Sequence, residues 1–241
     1  MRQRREVTMK KLNIGIIPDG NRRWAAQRKL PVWEGHREGA KRAREIMTHI
    51  LSKYKNEVKS ITIWAFSSEN FGRSVKEKKE IFRVVRENIE DLMSDEIVVK
   101  NKIKVNIIGT RLDETPQSLK ETAKQTMEVT KGYGKHILNI AMGYGGRFEI
   151  MRAALGLAQW LKEKPLIKEL TEETFEKFLE IKEPLDMLIR TGGEHRLSGF
   201  MLYQVAYSEL FFIDKLWPEF TPRDFDKVME EFYARKRRFG K

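Results

Sequence analysis

The sequence predicts an α/β protein: a single domain with a central, mostly parallel six-stranded sheet flanked by helices. Short runs of apolar, β-branched and aromatic residues recur along the chain, and stretches with helical periodicity separate most of them. This alternation is typical of parallel sheets whose strands are joined by helices. No low-complexity linker or internal repeat divides the 241 residues. We therefore expect one domain over 12–241, preceded by a basic tail over 1–11.

The predicted strands are six apolar runs of four to six residues. In chain order they cover 12–17, 61–66, 103–108, 137–142, 185–189 and 210–213. Polar or glycine-containing segments follow several of them. Parallel-sheet proteins build their sites at the carboxyl ends of strands, so these segments are the candidate functional loops.

Two helical stretches have distinct apolar faces. The stretch over 36–54 carries a single apolar stripe, from Ala40 to Leu51, opposite basic residues. The stretch over 81–99 is apolar over a much broader face. A core helix that touches both the sheet and a neighbouring helix would have this pattern, and so would the wall of an apolar ligand cavity. The pattern alone leaves both open.

The charge of the chain is concentrated at its ends. The formal net charge is +12; residues 1–11 carry +4 and residues 235–241 carry +5, which leaves +3 for the body. A basic nucleic-acid-binding protein with arginine-rich ends is the rival from another class. Few aromatic residues accompany those ends. A nucleic-acid-binding function would also leave the glycine- and arginine-containing loops after the strands unexplained. We expect no nucleic-acid partner.

Cysteine is absent, which excludes a disulfide scaffold and thiolate chemistry. The basic start is followed by an apolar run that polar residues break, unlike a signal peptide. No window approaches the roughly 18 uninterrupted apolar residues of a membrane span. We expect a cytoplasmic protein that meets a membrane only peripherally.

The first candidate loop, 16–24, reads I-I-P-D-G-N-R-R-W and lies where a strand gives way to a helix. Unpaired N–H groups at a helix start and a glycine suit a phosphate. Asp19 would repel a phosphate, so a bridging Mg²⁺ is the natural partner, since that ion is held by one or two carboxylates and substrate phosphates. The Walker A lysine and hydroxyl are missing after Gly20, which excludes a P-loop.

Two further loops carry anion-binding residues. The segment 65–73, A-F-S-S-E-N-F-G-R, offers hydroxyls, an amide and a guanidinium, although a helix-capping turn explains its Ser and Asn equally well. The segment 189–200 contains Arg190, paired glycines, Arg196 and Ser198. Guanidinium forks match phosphate oxygens. Two such loops at different strand ends predict two diphosphate sites.

These motifs closely resemble those of the cis-prenyltransferases, typified by undecaprenyl diphosphate synthase, in the same order over nearly the whole chain. They are D-G-N-R-R-W at 19–24, Gly35-His36, A-F-S-S-E-N at 65–70 with Arg73, R-T-G-G-E-H-R-L-S at 190–198, and S-E-L-F-F with L-W-P-E-F within 208–220. The resemblance implies that fold and repeated addition of isopentenyl diphosphate to an allylic diphosphate primer, farnesyl or geranylgeranyl diphosphate, with cis geometry. The polyprenyl diphosphate product is a lipid-carrier precursor.

The resemblance also implies roles for particular residues. Asp19 would bind Mg²⁺, with Glu209 and His195 at other positions associated with the metal. Asn70 matches the proposed proton acceptor, although an amide is a weak base; His36 and Ser67 lie close to the reacting groups, and His36 could instead cap its helix. The implied allylic-diphosphate residues are Gly20, Asn21, Arg22, Arg23 and Arg73, and the implied isopentenyl-diphosphate residues are Arg190, Arg196 and Ser198. The other implied substrate-binding residues are Trp24, His36, Ser67, Ser68, Glu69, Phe71, Leu197, Arg238 and Gly240.

Two departures distinguish the chain from the bacterial pattern. Arg22 stands where bacterial members often have glycine, and Val32 stands where they often have arginine, so the allylic site is expected to differ. The D-G-N-R-R form is more similar to archaeal and eukaryotic members. The chain keeps both Asp19 and its own Arg238-Phe239-Gly240, which predicts a self-sufficient homodimer and argues against a non-catalytic subunit. A short-chain or head-to-middle synthase of the same fold remains an alternative.

Overall fold

The computed structural model describes residues 11–163 and 169–235. Its core is a six-stranded sheet in the order β3-β4-β2-β1-β5-β6, and every adjacent pair is parallel. The strands are β1 (Leu12–Ile17), β2 (Val58–Ser67), β3 (Ile103–Ile108), β4 (His136–Tyr144), β5 (Met187–Arg190) and β6 (Glu209–Phe212). The six predicted strands are confirmed. The main boundary difference is in β2, which begins three residues earlier than predicted and includes Ser67.

The helices cover both faces of the sheet. They are α1 (Asn21–Gln27), α2 (Val32–Lys53), α3 (Val75–Asp91), α4 (Glu96–Lys100), α5 (Gln117–Val129), α6 (Gly146–Lys162), α7 (Glu172–Glu176) and α8 (Pro222–Ala234). Alternate residues of β1 enter different cores: Ile14 and Ile16 pack with α2 and α8, and Ile17 packs on the opposite face with Phe200. Among the described residues, no helix is long and apolar enough to cross a bilayer.

The stretch over 81–99 is not one helix, which corrects the prediction. Helix α3 ends at Asp91, and α4 starts at Glu96 with Asp95 as its N-cap. The Asp95 carboxylate accepts a hydrogen bond from the Ile97 N–H at 2.8 Å. Asp is a preferred N-cap residue, so a local start signal interrupts the apolar pattern.

The order of the strands determines where the loops meet. Strand β1 lies between β2 and β5, and all three run in the same direction. The segments after Ile17, Ser67 and Arg190 therefore come together at one edge of the sheet. The three motif loops of the sequence are those segments.

Candidate active site

A cavity of about 1060 Å³ opens at this edge and extends over the sheet between α2 and α3. Polar groups from the three loops line its mouth, and apolar residues line the rest. Helix α2 contributes Ala40, Ala43, Ile46, Met47 and Ile50; helix α3 contributes Ile81, Val84, Val85, Ile89 and Leu92. The broad apolar face over 81–99 is thus, in its first part, a cavity wall.

The cavity reaches far along the sheet. Its lining extends from Ser67 at the mouth to Ile61, which pairs with Leu138 of β4. Six residues of strand separate Ser67 from Ile61, which corresponds to a depth of about 20 Å. Ile61 and Leu138 also border a small void behind them. They form the floor that separates the cavity from the core.

The backbone around Asp19 is held rigidly at the mouth. The Asp19 carbonyl oxygen accepts hydrogen bonds from the Trp217 N–H at 2.9 Å and the Thr191 hydroxyl at 2.8 Å. Gly20 follows with φ at +112°, and a Cβ there would lie 2.9 Å from the Leu216 Cα atom. Only glycine fits this conformation and this contact. The next residue, Asn21, begins α1 as predicted.

The Asp19 carboxylate connects the first loop to the third. One oxygen accepts a hydrogen bond from the Arg190 guanidinium at 2.8 Å, and the other lies 3.3 Å from Arg23. Arg190 is only 4% exposed. Its other terminal nitrogen donates to the Ser198 hydroxyl at 2.8 Å and to the Arg196 carbonyl oxygen. Arg190 therefore orders the third loop around Asp19.

The predicted allylic cradle contains a carboxylate that the sequence reasoning did not single out. Glu77, in the first turn of α3, lies 3.1 Å from Arg73 and 3.5 Å from Arg22. His36 Nε2 lies 3.9 Å from the same Glu77 oxygen. Arg73 is largely buried, and burial lowers its pKa while Glu77 acts in the opposite direction. Glu77 thus offsets part of the positive charge of two guanidiniums.

His36 lies in the cavity wall as a neutral imidazole. Burial lowers its pKa to about 4, and the charges of Arg73 and Arg22 act in the same direction. Its Nε2 is buried and has no hydrogen-bond partner. Helix α2 begins at Val32, four residues earlier, so His36 is not a helix cap and that alternative is wrong. A buried ring nitrogen without a partner, facing a cavity, suits a hydrogen bond to a ligand.

The capping interpretation of the second loop is confirmed for Ser67 and Asn70. They form a reciprocal capping box: the Asn70 N–H donates to the Ser67 hydroxyl at 3.2 Å, and the Ser67 N–H donates to the Asn70 side-chain oxygen at 3.3 Å. Both residues also line the cavity, with Glu69. The amide oxygen of Asn70 is engaged within the turn. Together with its low basicity, this disfavours Asn70 as the proton acceptor.

Only some of the predicted residues of the third loop line the cavity. Ser198 and Leu197 line the cavity, and Ser198 has φ at +51°. Arg196 is exposed and pairs with Glu194. His195 is exposed and stacks on Phe212, with ring centroids 5.1 Å apart. The Arg238-Phe239-Gly240 segment, with the predicted residues Arg238 and Gly240, lies outside the described residues.

Glu209 lies away from the mouth. It begins β6 and pairs in register with Met187, whereas Arg190, beside Asp19, pairs with the last residue of β6. Its carboxylate accepts a hydrogen bond from Arg235 at 2.8 Å. Within the described part of one chain, no group of three or more His, Asp or Glu residues could hold a metal. Asp19, His195 and Glu209 therefore do not form one ligand set there, which corrects that part of the sequence interpretation.

Several predicted substrate-binding residues lie outside the cavity wall. Phe71 packs edge-on against Phe66 in the core, and Ser68 is buried behind Gly145. Trp24 lies on the surface side of α1, with the Arg28 guanidinium 4.4 Å from its ring centroid. Gly20, Arg22, Arg23 and Arg196 border the mouth without lining the cavity.

The start of α6 is a second feature that sequence reasoning undervalued. Gly145, Gly146, Arg147 and Phe148 line the cavity. The sequence indicated only a strand-to-helix turn there, but a glycine pair followed by arginine after β4 was the available signal. For Glu77 the available signal was its place in the first turn of the helix that Ser74 caps, four residues after Arg73.

Residues 17–240 match the family described as "Putative undecaprenyl diphosphate synthase". The chain belongs to this family of cis-prenyltransferases. Its curated relatives include proteins from Pyrococcus abyssi, 39% identical over 95% of this chain and 86% of the relative, and Pyrobaculum aerophilum, 36% identical over 95% of both. Both are named tritrans,polycis-undecaprenyl-diphosphate synthase (geranylgeranyl-diphosphate specific).

Two solved structures share the fold of this family member. Lavandulyl diphosphate synthase from Lavandula x intermedia, in complex with dimethylallyl diphosphate, superposes with a TM-score of 0.86 at 29% identity, covering 95% of this chain and 98% of the other. A probable undecaprenyl diphosphate synthase from Campylobacter jejuni gives 0.77 at 29% identity, covering 97% and 100%. The predicted family, fold and prenyltransferase function are confirmed.

Proposed function

We propose that this prenyltransferase extends geranylgeranyl diphosphate with several isopentenyl units in a Mg²⁺-dependent reaction, giving a long polyprenyl diphosphate. The observation that carries the proposal is the junction of Asp19 and Arg190 at the mouth of a deep apolar cavity. A charged mouth suits two diphosphates, and the apolar interior suits a growing hydrocarbon. The names of the relatives support the choice of primer.

The two diphosphates would occupy opposite sides of Asp19. The allylic diphosphate would bind between the start of α1 and Arg73, with Arg22 and Arg23 at its rim. Isopentenyl diphosphate would bind the loop that Arg190 orders, with Ser198 and Arg196 as its contacts. Arg147 and the start of α6 complete the ring of positive groups on the cavity wall.

Asp19 is the residue that would hold Mg²⁺. Its carboxylate bridges the first and third loops at the mouth of the cavity, and Mg²⁺ is commonly held by one or two carboxylates plus substrate phosphates. When bound, the ion would neutralise charge on the departing diphosphate. Arg190 and Arg23 hold the Asp19 carboxylate in a fixed orientation, which prepares it for that ligand.

Each addition breaks the allylic C–O bond and forms one carbon–carbon bond to the isopentenyl double bond. The electron pair of the broken bond leaves with the diphosphate, and a proton leaves the isopentenyl unit. The guanidiniums of Arg22, Arg23 and Arg73 stabilise the negative charge that develops. The apolar wall excludes water from the allylic cation. Because the Asn70 oxygen is already bonded, we assign the proton to a diphosphate oxygen and to Asn70 a positioning role.

Incubation of the purified chain with labelled isopentenyl diphosphate, Mg²⁺ and allylic primers of increasing length tests this function. We expect geranylgeranyl diphosphate to be the best primer and the products to contain many added units. Asp19→Asn keeps the shape of the side chain and should abolish turnover without loss of folding. No incorporation with any primer would remove the long-chain function.

Head-to-middle condensation is the second candidate, because the lavandulyl diphosphate synthase structure is so similar. The volume and depth of the cavity favour the long product. Incubation with dimethylallyl diphosphate alone separates the two: a branched product of two units would establish head-to-middle condensation.

A homodimer is part of the same proposal, and helix α6 supplies its candidate surface. Phe148, Met151 and Leu155 lie three and four residues apart and are 41%, 54% and 69% exposed. An apolar stripe on one helix face suits a second copy. Light scattering of Met151→Lys with Leu155→Lys should report a monomer. A cytoplasmic location with peripheral membrane contact stays a prediction.

A further inference from the structure

A surface beside the cavity mouth combines exposed apolar residues with cations. We call it the mouth rim; its members are Lys29, Leu30, Trp33, Val75, Lys76 and Lys79. Leu30 is 41% exposed and Val75 is 79% exposed. The Lys76 ammonium lies 5.4 Å from the centre of the Trp33 ring, which joins the start of α2 to the start of α3. Residues from two separate segments thus form one continuous surface.

The mouth rim adjoins the active site without belonging to it. His36 and Arg22, from the segment around α1 and α2, both approach Glu77 of α3, with separations of 3.9 Å and 3.5 Å. These contacts hold the start of α2 beside the start of α3 at the edge of the mouth. None of the six rim residues lines the cavity.

The charge of the chain body is concentrated here. Residues 22–37 carry a net +4 and residues 73–79 a net +3, whereas the chain as a whole carries +12. Part of that charge serves the diphosphates. Lys29, Lys76 and Lys79, however, form no ion pair with a carboxylate among the described residues, and all three are exposed.

We propose that the mouth rim docks the enzyme on an anionic lipid bilayer, with Leu30, Trp33 and Val75 in the interface and the three lysines against the headgroups. Lysine, aliphatic and tryptophan side chains on one surface are typical of interfacial binding. The cations beside the α6 stripe are Arg147, which lines the cavity, and Arg152, which pairs with Glu180 at 3.6 Å, so that stripe suits a protein partner better. The inference rests on the proposed function, because the docked mouth would release its hydrocarbon product directly into the bilayer.

Sedimentation of the full chain with vesicles of equal parts phosphatidylglycerol and phosphatidylcholine tests the proposal. Lys29→Gln with Lys76→Gln should lower the partition coefficient about 30-fold, since each cation near an anionic surface contributes about 1 kcal/mol and a factor of ten corresponds to about 1.4 kcal/mol. Leu30→Ser with Val75→Ser should lower it about tenfold. Pure phosphatidylcholine vesicles should bind the unaltered chain weakly.

Matched controls separate the rim from other surfaces. Val129→Ser with Lys124→Gln changes an exposed valine and an exposed lysine of α5, away from the mouth, and should leave vesicle binding unchanged. A variant with glutamine at Arg2, Arg4 and Arg5 tests whether the basic tail contributes to vesicle binding. Loss of binding in the tail variant, with binding retained in the rim variants, would overturn the proposal, as would equal losses in the rim and α5 variants.

Turnover of a soluble short primer without vesicles distinguishes the two proposals. The rim variants should keep the turnover of the unaltered chain, because they leave the cavity intact. An unaltered chain that binds vesicles but transfers no prenyl group would refute the proposed function while leaving the docking surface in place.

Discussion

Arg190 donates a hydrogen bond to the Asp19 carboxylate across 2.8 Å, and this contact joins the loops after two neighbouring strands. The two residues are close because β1 and β5 pair in parallel, with Ile17 opposite Arg190. The two loops predicted to bind diphosphates therefore meet at one place, and Asp19 lies at their junction.

Replacement of Arg190 by lysine should reduce kcat/KM about 100-fold, because a single ammonium cannot hold Asp19, Ser198 and the Arg196 carbonyl together. Steady-state kinetics with both substrates measures the loss. Arg196→Lys is the control, since its side chain is 60% exposed; its effect should be smaller and confined to the KM for isopentenyl diphosphate. Equal losses in the two variants would contradict the central role of Arg190.

Removal of the Glu77 charge should strengthen anion binding. Glu77→Gln leaves Arg22 and Arg73 without their counter-charge, so inorganic pyrophosphate should bind about fivefold more tightly in calorimetry, which corresponds to about 1 kcal/mol. Glu80→Gln is the control, because Glu80 pairs with Arg83 outside the cavity. Weaker binding in Glu77→Gln would show that the carboxylate supports the cradle instead of competing with the ligand.

The low pKa of His36 should make the unliganded protein less stable in mild acid. The folded pKa is about 4 and the usual value is 6.5, so between these values the unfolded chain binds a proton that the folded chain does not. The free energy of unfolding should lose about 2 kcal/mol from this residue between pH 7.5 and pH 5. In His36→Gln, denaturant titrations should show a fall that is smaller by that amount. An unchanged pH dependence would contradict the neutral state of His36.

The floor of the cavity should limit the product. Leu138→Ala opens the floor toward the void behind it, so the longest products should gain further isoprene units on chromatography. Val105→Ala is the matched control: Val105 pairs with Leu138, is fully buried and does not line the cavity. It should lose stability without lengthening the product. Identical product distributions in the two variants would place the limit elsewhere.

Strand periodicity and turn chemistry are local properties, so the amino-acid sequence was enough to predict the α/β class, the six strands and the three motif loops. It also identified the family, since several motifs coincide in order. Those same local patterns left Ser67 and Asn70 between capping and binding, and the structure shows that both residues cap the turn and also line the cavity.

Which of those residues meet depends on how distant segments pack against one another. The strand order places Asp19 beside Arg190. It also places Glu209 at the start of β6, whereas the residue that pairs with Arg190 is at the end of β6. Neither relation can be predicted from spacing along the chain. Packing decided that Phe71 and Ser68 lie behind the cavity and that Glu77 lies within the cradle. These outcomes depend on contacts between segments far apart in sequence, and such contacts are fixed by the pairing of strands and the packing of helices, which a single sequence does not display.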